Sequence, residues 1–142
     1  MSRSTGTTIV ARCIDAMNRG DAAGYAAEFA ADAIVHDPSH GAPLTGREAI
    51  EADVAALLAA VPDIQGTIRS VIEDEDRVAA AVDFRGTFTG PYRSPDGELP
   101  PTGGPVVLQV HDLVELGPDG LATEERRYYD AGGFLAQLRT AG

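Results

Sequence analysis

The sequence is short of positive charge, of cysteine and of long apolar runs, and each shortage removes a class of function. Eleven Lys and Arg stand against twenty-two Asp and Glu, a formal charge of −11. Nucleic acids and anionic membranes are bound by clustered cations that displace counterions, so neither is an expected partner. Cys13 is the only cysteine. That excludes an intrachain disulfide and a zinc centre built from several thiolates. No apolar stretch approaches the ~20 residues that cross a bilayer. The opening MSRSTGTT holds one arginine and no apolar segment, so no secretory signal is expected and cytoplasm is the expected location. There is no internal repeat and no glycine-rich phosphate loop.

What is present is ordinary globular usage, 44% hydrophobic and 23% charged over 142 residues. That length fits one domain spanning residues 1–142, large enough to bury a core. Ile9, Val10, Cys13, Ile14 and Met17 recur at helical spacing, and their stripe stops at Asn18-Arg19-Gly20-Asp21. Asp21 is an N-cap candidate for a second short helix carrying Tyr25 and Phe29. Ala33-Ile34-Val35 reads as a short strand ending at His36-Asp37-Pro38. Thr45 and Glu48 make a capping-box pattern ahead of Ile50, Val54, Leu57, Leu58 and Val61, a third helix closed by Pro62.

Beyond Pro62 the period changes from helical to alternating. Residues 67–73 and 77–88 read as strands, with Val78, Ala80, Val82 and Phe84 on one face. Residues 89–104 hold four prolines and four glycines and read as an irregular, flexible cover over a pocket. Strands over 105–116 and 121–129 flank the turn Gly117-Pro118-Asp119-Gly120. Asp130 can cap a last helix holding Phe134, Leu135 and Leu138. The order implies an α+β fold, a curved and mostly antiparallel sheet with helices across its concave face and a pocket between them.

Several segments resemble the SnoaL-like polyketide cyclases and their relatives, the ketosteroid isomerases and limonene epoxide hydrolases of the nuclear transport factor two-like superfamily. They are Asn18-Arg19-Gly20-Asp21, Val35-His36-Asp37-Pro38, Pro43 to Ile50, Pro100-Pro101-Thr102-Gly103, Val110-His111-Asp112-Leu113 and Tyr129-Asp130. The resemblance implies that superfamily's cone-shaped fold, no cofactor, and back-to-back homodimers. It places Asp37 where the isomerases keep a proton-shuttling aspartate, and Asp112 where they keep a protonated aspartate that donates to an oxyanion. Cys13 stands where they have a hydrogen-bonding tyrosine, and a thiol is a poor replacement donor. Arg127 stands where the aromatic-polyketide cyclases and epoxide hydrolases have a catalytic aspartate.

With Gly117 opposite Gly120, Asp112 falls opposite Glu125 and Val110 opposite Arg127, so that Val110, Asp112, Val114, Glu125, Arg127 and Tyr129 share one face. His111, Leu113, Arg126 and Tyr128 take the other. The first matches the pocket face of the resemblance. Two carboxylates in a poorly solvated site do not both ionise cheaply, so one pKa should rise unless Arg127 neutralises the pair. The expected roles are Asp37 as general base, Asp112 or Glu125 as hydrogen-bonding acid, and Arg127 as the cation for an enolate or carboxylate. Tyr129, Val110, Val114, Phe84, Tyr25 and Tyr92 are the expected substrate contacts.

Two plainer alternatives stand beside this. The three ionisable groups form a structural ion-pair network, or the strand is slipped by one and they face water. His36 and His40 are four apart, but Pro38 between them forbids a regular helix and no third ligand is evident, so no metal is expected. The function expected is proton transfer next to a carbonyl in a small polyketide-like intermediate, as a cyclase or isomerase. The alternatives are an epoxide-opening hydrolase or cyclase and a non-catalytic binding module. Either enzyme needs a pocket of several hundred Å³ open to Asp37 and Asp112.

Overall fold

The computed structural model describes residues 5–94 and 96–140. Helix α1 (Gly6–Asn18) starts on Thr5, whose hydroxyl accepts from the Thr8 amide, and buries Ile9, Val10, Cys13, Ile14 and Met17 on the face that periodicity assigns. Helix α2 (Ala22–Ala26) is capped by Asp21 as expected, through the Gly24 amide at 2.8 Å. Phe29 is not on that helix. It opens strand β1 (Phe29–His36), far longer than Ala33 to Val35, with its ring stacked on Tyr25 at 5.6 Å. Ala30-Ala31-Asp32 shows neither alternation nor β-branched residues, which is why the sequence hides that half of the strand.

The capping box at Thr45 is not formed. Leu44–Thr45 is a two-residue strand, β2, with Thr45 opposite Ile34 of β1. The helix that follows, α3 (Arg47–Ala60), starts from Gly46 at φ +93° with no side-chain cap. Glycine meets that backbone without the steric cost other residues bear. The chain leaves α3 at Val61, as Pro62 implies.

Strands β3 (Gln65–Asp74) and β4 (Arg77–Thr87) form the expected hairpin, and Val78, Ala80, Val82 and Phe84 are all buried. The stretch expected to be irregular contains a small hairpin of its own, β5 (Tyr92–Ser94) with β6 (Gly97–Leu99). It is anchored at both ends: the Thr89 and Gly90 amides donate to the Ala60 carbonyl, Phe88 and Gly103 are hydrogen-bonded, and Tyr92 is buried. Strands β7 (Pro105–Leu116) and β8 (Ala122–Tyr128) precede α4 (Ala131–Arg139), which Asp130 caps through the Gly133 amide.

The main sheet runs β2-β1-β8-β7-β4-β3, antiparallel except where β1 lies parallel to β8. Its curved inner face packs on the helices in the expected α+β cone. The β7–β8 register differs from the expected one by two. Asp112 pairs with Arg127 and Val114 with Glu125, because the connection runs to Leu121 and a bulge at Thr123 adds a second residue. Side chains alternate with a period of two, so two single-residue offsets return every residue to its original face. Tyr128 on the opposite face is 58% exposed, as that reading requires.

Candidate active site

The site is organised around one guanidinium. Arg127 projects from β8 into the interior, its side chain only 10% exposed. Nε donates to Glu125 Oε1 at 3.2 Å, and Nη1 donates to Asp37 Oδ2 at 3.0 Å and Asp53 Oδ2 at 2.9 Å. Nη2 reaches the Tyr25 hydroxyl at 3.5 Å. Burial alone would lower the Arg127 pKa, but Glu125, Tyr25, Asp53 and Asp37 outweigh it and raise it further. Such an arrangement fits the rule that a buried charge persists only when paired and hydrogen-bonded.

Asp37 lies just beyond β1, where Pro38 turns the chain. Its Oδ1 accepts from the Ser39 amide at 2.8 Å and from the Tyr129 hydroxyl at 2.5 Å, and Ser39 Oγ lies 2.6 Å from that same hydroxyl. Burial pushes the Asp37 pKa up, yet the charge of Arg127 with the Tyr129 and Ser39 hydrogen bonds holds it below the usual carboxylate range. Tyr129 shifts the opposite way, raised by burial and by its hydrogen bond to that anion.

Asp112, from β7, has the reverse chemistry. Burial raises its pKa well above the ordinary value, the Glu125 charge and a side-chain hydrogen bond with Glu125 raise it further, and Arg127 opposes only in part. Burial and a second carboxylate alongside both disfavour its anion, the effect expected when two carboxyl groups share a poorly solvated site. Its Oδ1 is buried and without a hydrogen-bond partner. Buried polar atoms are satisfied in the great majority of native structures, so this orphan carboxyl oxygen is an exception that packing alone does not explain.

Asp37, Asp112 and Arg127 all line one cavity, together with Tyr25, Phe84, Tyr92, Val110 and Tyr129. Of the expected contacts, Val114 lies elsewhere: with Glu125 it lines a smaller void of about 20 Å³ behind Asp112. The cleft has about 680 Å³ free of atoms when its open mouth is counted, but only about 80 Å³ of it takes the centres of water-sized molecules. The enclosed volume therefore falls short of the expected several hundred Å³.

Two residues of the wall lie outside the site expected from the sequence. Asp53 of α3 binds Arg127 and also holds His40 Nε2 at 2.9 Å. Its signal was present, since Asp53 sits three after Ile50 and four before Leu57, a charge inside an apolar helical stripe. His40 is the residue weighed with His36 for a metal, but His36 turns away to Glu124 at 2.8 Å. Donor atoms of Asp37, His40 and Asp53 do lie within 4.8 Å of one another. They do not fit a metal, because Arg127 Nη1 already bridges the two carboxylates, and their other oxygens are taken by Ser39, Tyr129 and His40.

Several solved structures share this architecture. IdmH, a proposed polyketide cyclase from Streptomyces antibioticus, is 27% identical with a TM-score of 0.74, over 94% of this chain and 98% of that one. AclR, a proposed hydroxylase from Streptomyces galilaeus, is 21% identical with a TM-score of 0.77, over 93% and 79%. SalBIII, an epoxide hydrolase/cyclase-like enzyme of pyran ring formation in the polyether salinomycin, is 21% identical with a TM-score of 0.70, over 87% and 89%. No curated protein matches the sequence. Among the described residues no helix is long and apolar enough to cross a membrane. Residues 10–125 match the SnoaL-like domain, and with that match added to the cone-shaped fold, the chain belongs to the SnoaL-like family.

Proposed function

We propose that the protein is an acid/base enzyme that moves a proton next to a carbonyl in a small polyketide-like intermediate, closing or isomerising a ring. The observation that carries this is Asp112: a carboxyl whose anion burial disfavours, with an unpaired oxygen, on the wall of a cavity whose other carboxylates, Asp37 and Asp53, are paired with Arg127. A neutral acid in an apolar setting donates a hydrogen bond to a carbonyl oxygen as it gains electron density, and removal of the α-proton then leaves an enol instead of a bare enolate. Asp37, kept anionic by Arg127, takes the proton in this scheme. Glu125 and Asp53 share the guanidinium and set its place. With four of its five N–H groups engaged, Arg127 serves as the cation that lets Asp37 stay ionised, more than as a direct ligand for an enolate.

A second reading has one observation in its favour, the likeness to SalBIII: Asp112 would protonate an epoxide oxygen while Asp37 activates a water or an internal hydroxyl. Incubation with a ketone substrate in deuterium oxide and an epoxide in heavy-oxygen water separates the two. Deuterium next to the ketone supports proton transfer, and heavy oxygen in a diol supports epoxide opening. Under either, Asp112→Asn should cut turnover by at least ~100-fold, and unchanged turnover would remove Asp112 from the chemistry.

A further inference from the structure

We infer that the cavity accepts a ligand whose polar head is uncharged or cationic and turns away carboxylates. The inference deepens the function proposed above and rests on this cavity being the substrate site. It starts from a charge count. Asp37, Asp53 and Glu125 all bind the one guanidinium, while burial disfavours the anion of Asp112. Asp37 and Asp53 line the cavity beside that one fixed cation, whose charge Glu125 shares from behind the cavity wall, and His40 is held by Asp53. Among the described residues, no Lys and no second Arg lines the cavity.

The donor count points the same way. A guanidinium has five N–H groups in a fixed fork. Nε and both N–H groups of Nη1 are committed to carboxylates, and Nη2 gives one to Tyr25. One N–H is left, too few for the bidentate grip by which Arg captures a carboxylate. A carboxylate entering the cleft would lose its water and meet anions without a matching cation. A hydroxyl or ammonium would instead find acceptors in the carboxylates of Asp37 and Asp53. Much of the remaining lining is hydrocarbon and ring, with Met17, Leu57, Phe84, Leu108, Val110 and Phe134. It suits a flat apolar body and adds no charge preference of its own, apart from the ring faces that favour cations.

A matched series tests this without any turnover: 2-naphthalenemethanol, 2-naphthylmethylamine and 2-naphthoate, titrated calorimetrically into the full chain at pH 7.5 and low salt. The expected order is amine at least as tight as alcohol, with the acid weaker than the alcohol by ~10-fold or more. An acid that binds as tightly as the alcohol overturns the inference, and so does the absence of binding by all three. In Asp53→Asn one Nη1 hydrogen of Arg127 loses its carboxylate, so the gap between alcohol and acid should shrink several-fold. A gap unchanged in a folded variant would show that charge does not set the order. Because binding is read directly, failure of the isotope experiments leaves this order standing, and a reversed order leaves those experiments able to succeed.

Discussion

Asp112 carries opposite consequences for chemistry and for stability. Its pKa in the folded chain lies above that of an unfolded aspartate, roughly 3.9, because burial and Glu125 disfavour the anion. The stability contributed by such a group is fully present below the unfolded value and is lost as pH rises through the folded one. Asparagine keeps the shape and does not titrate. Asp112→Asn should therefore melt at the same temperature as wild type near pH 4 and ~2–5 °C higher at pH 8, measured by differential scanning calorimetry. Equal melting temperatures at both pH values would mean that Asp112 ionises without penalty. Under the proposed function the same substitution should also remove activity, so that this acid trades stability for chemistry.

Helix ends separate what the sequence showed from what it concealed. Asp21 and Asp130 have the residue type and position of N-caps and both form the cap. Thr45 has them too and does not, because pairing with Ile34 draws it into β2, a tertiary demand no local pattern reveals. Asp130→Ala should cost about 1 kcal/mol in urea unfolding, whereas Thr45→Ala should stay within ~0.5 kcal/mol. A large loss at Thr45 would restore the cap. The β7–β8 hairpin teaches a related lesson. Alternation alone gave the face, so Asp112, Glu125 and Arg127 were legible as one group. Pair partners depend on the bulge at Thr123, which no residue type announces. Asp53 and His40 were placed in no site for a different reason: their partners lie 74 and 13 residues away, and only the packing of α3 beside β1, β2 and β5 brings them together.

Over the whole molecule, Arg127 is the tie between parts of the chain far apart in sequence: Tyr25 in α2, Asp37 beyond β1, Asp53 in α3 and its own strand through Glu125. Replacing it with methionine keeps much of the volume and leaves buried carboxylates with no cation among them. Breaking a buried pair from one side typically costs ~3–5 kcal/mol, and that loss is expected for Arg127→Met at pH 7 by chemical denaturation. Its pH dependence identifies the cause. In wild type the lowered pKa of Asp37 adds stability that is present above the unfolded value and lost as pH falls through the folded one, so acid weakens the native chain. In the variant, Asp37 lacks the charge that lowered it, and protonation relieves the repulsion with Asp53 and Glu125. The deficit should therefore narrow steadily between pH 7 and pH 4.5. A deficit that stays constant across that range would mean that Arg127 matters for its packing, and the balance of charge on which both the acid role of Asp112 and the rejection of carboxylates depend would lose its basis.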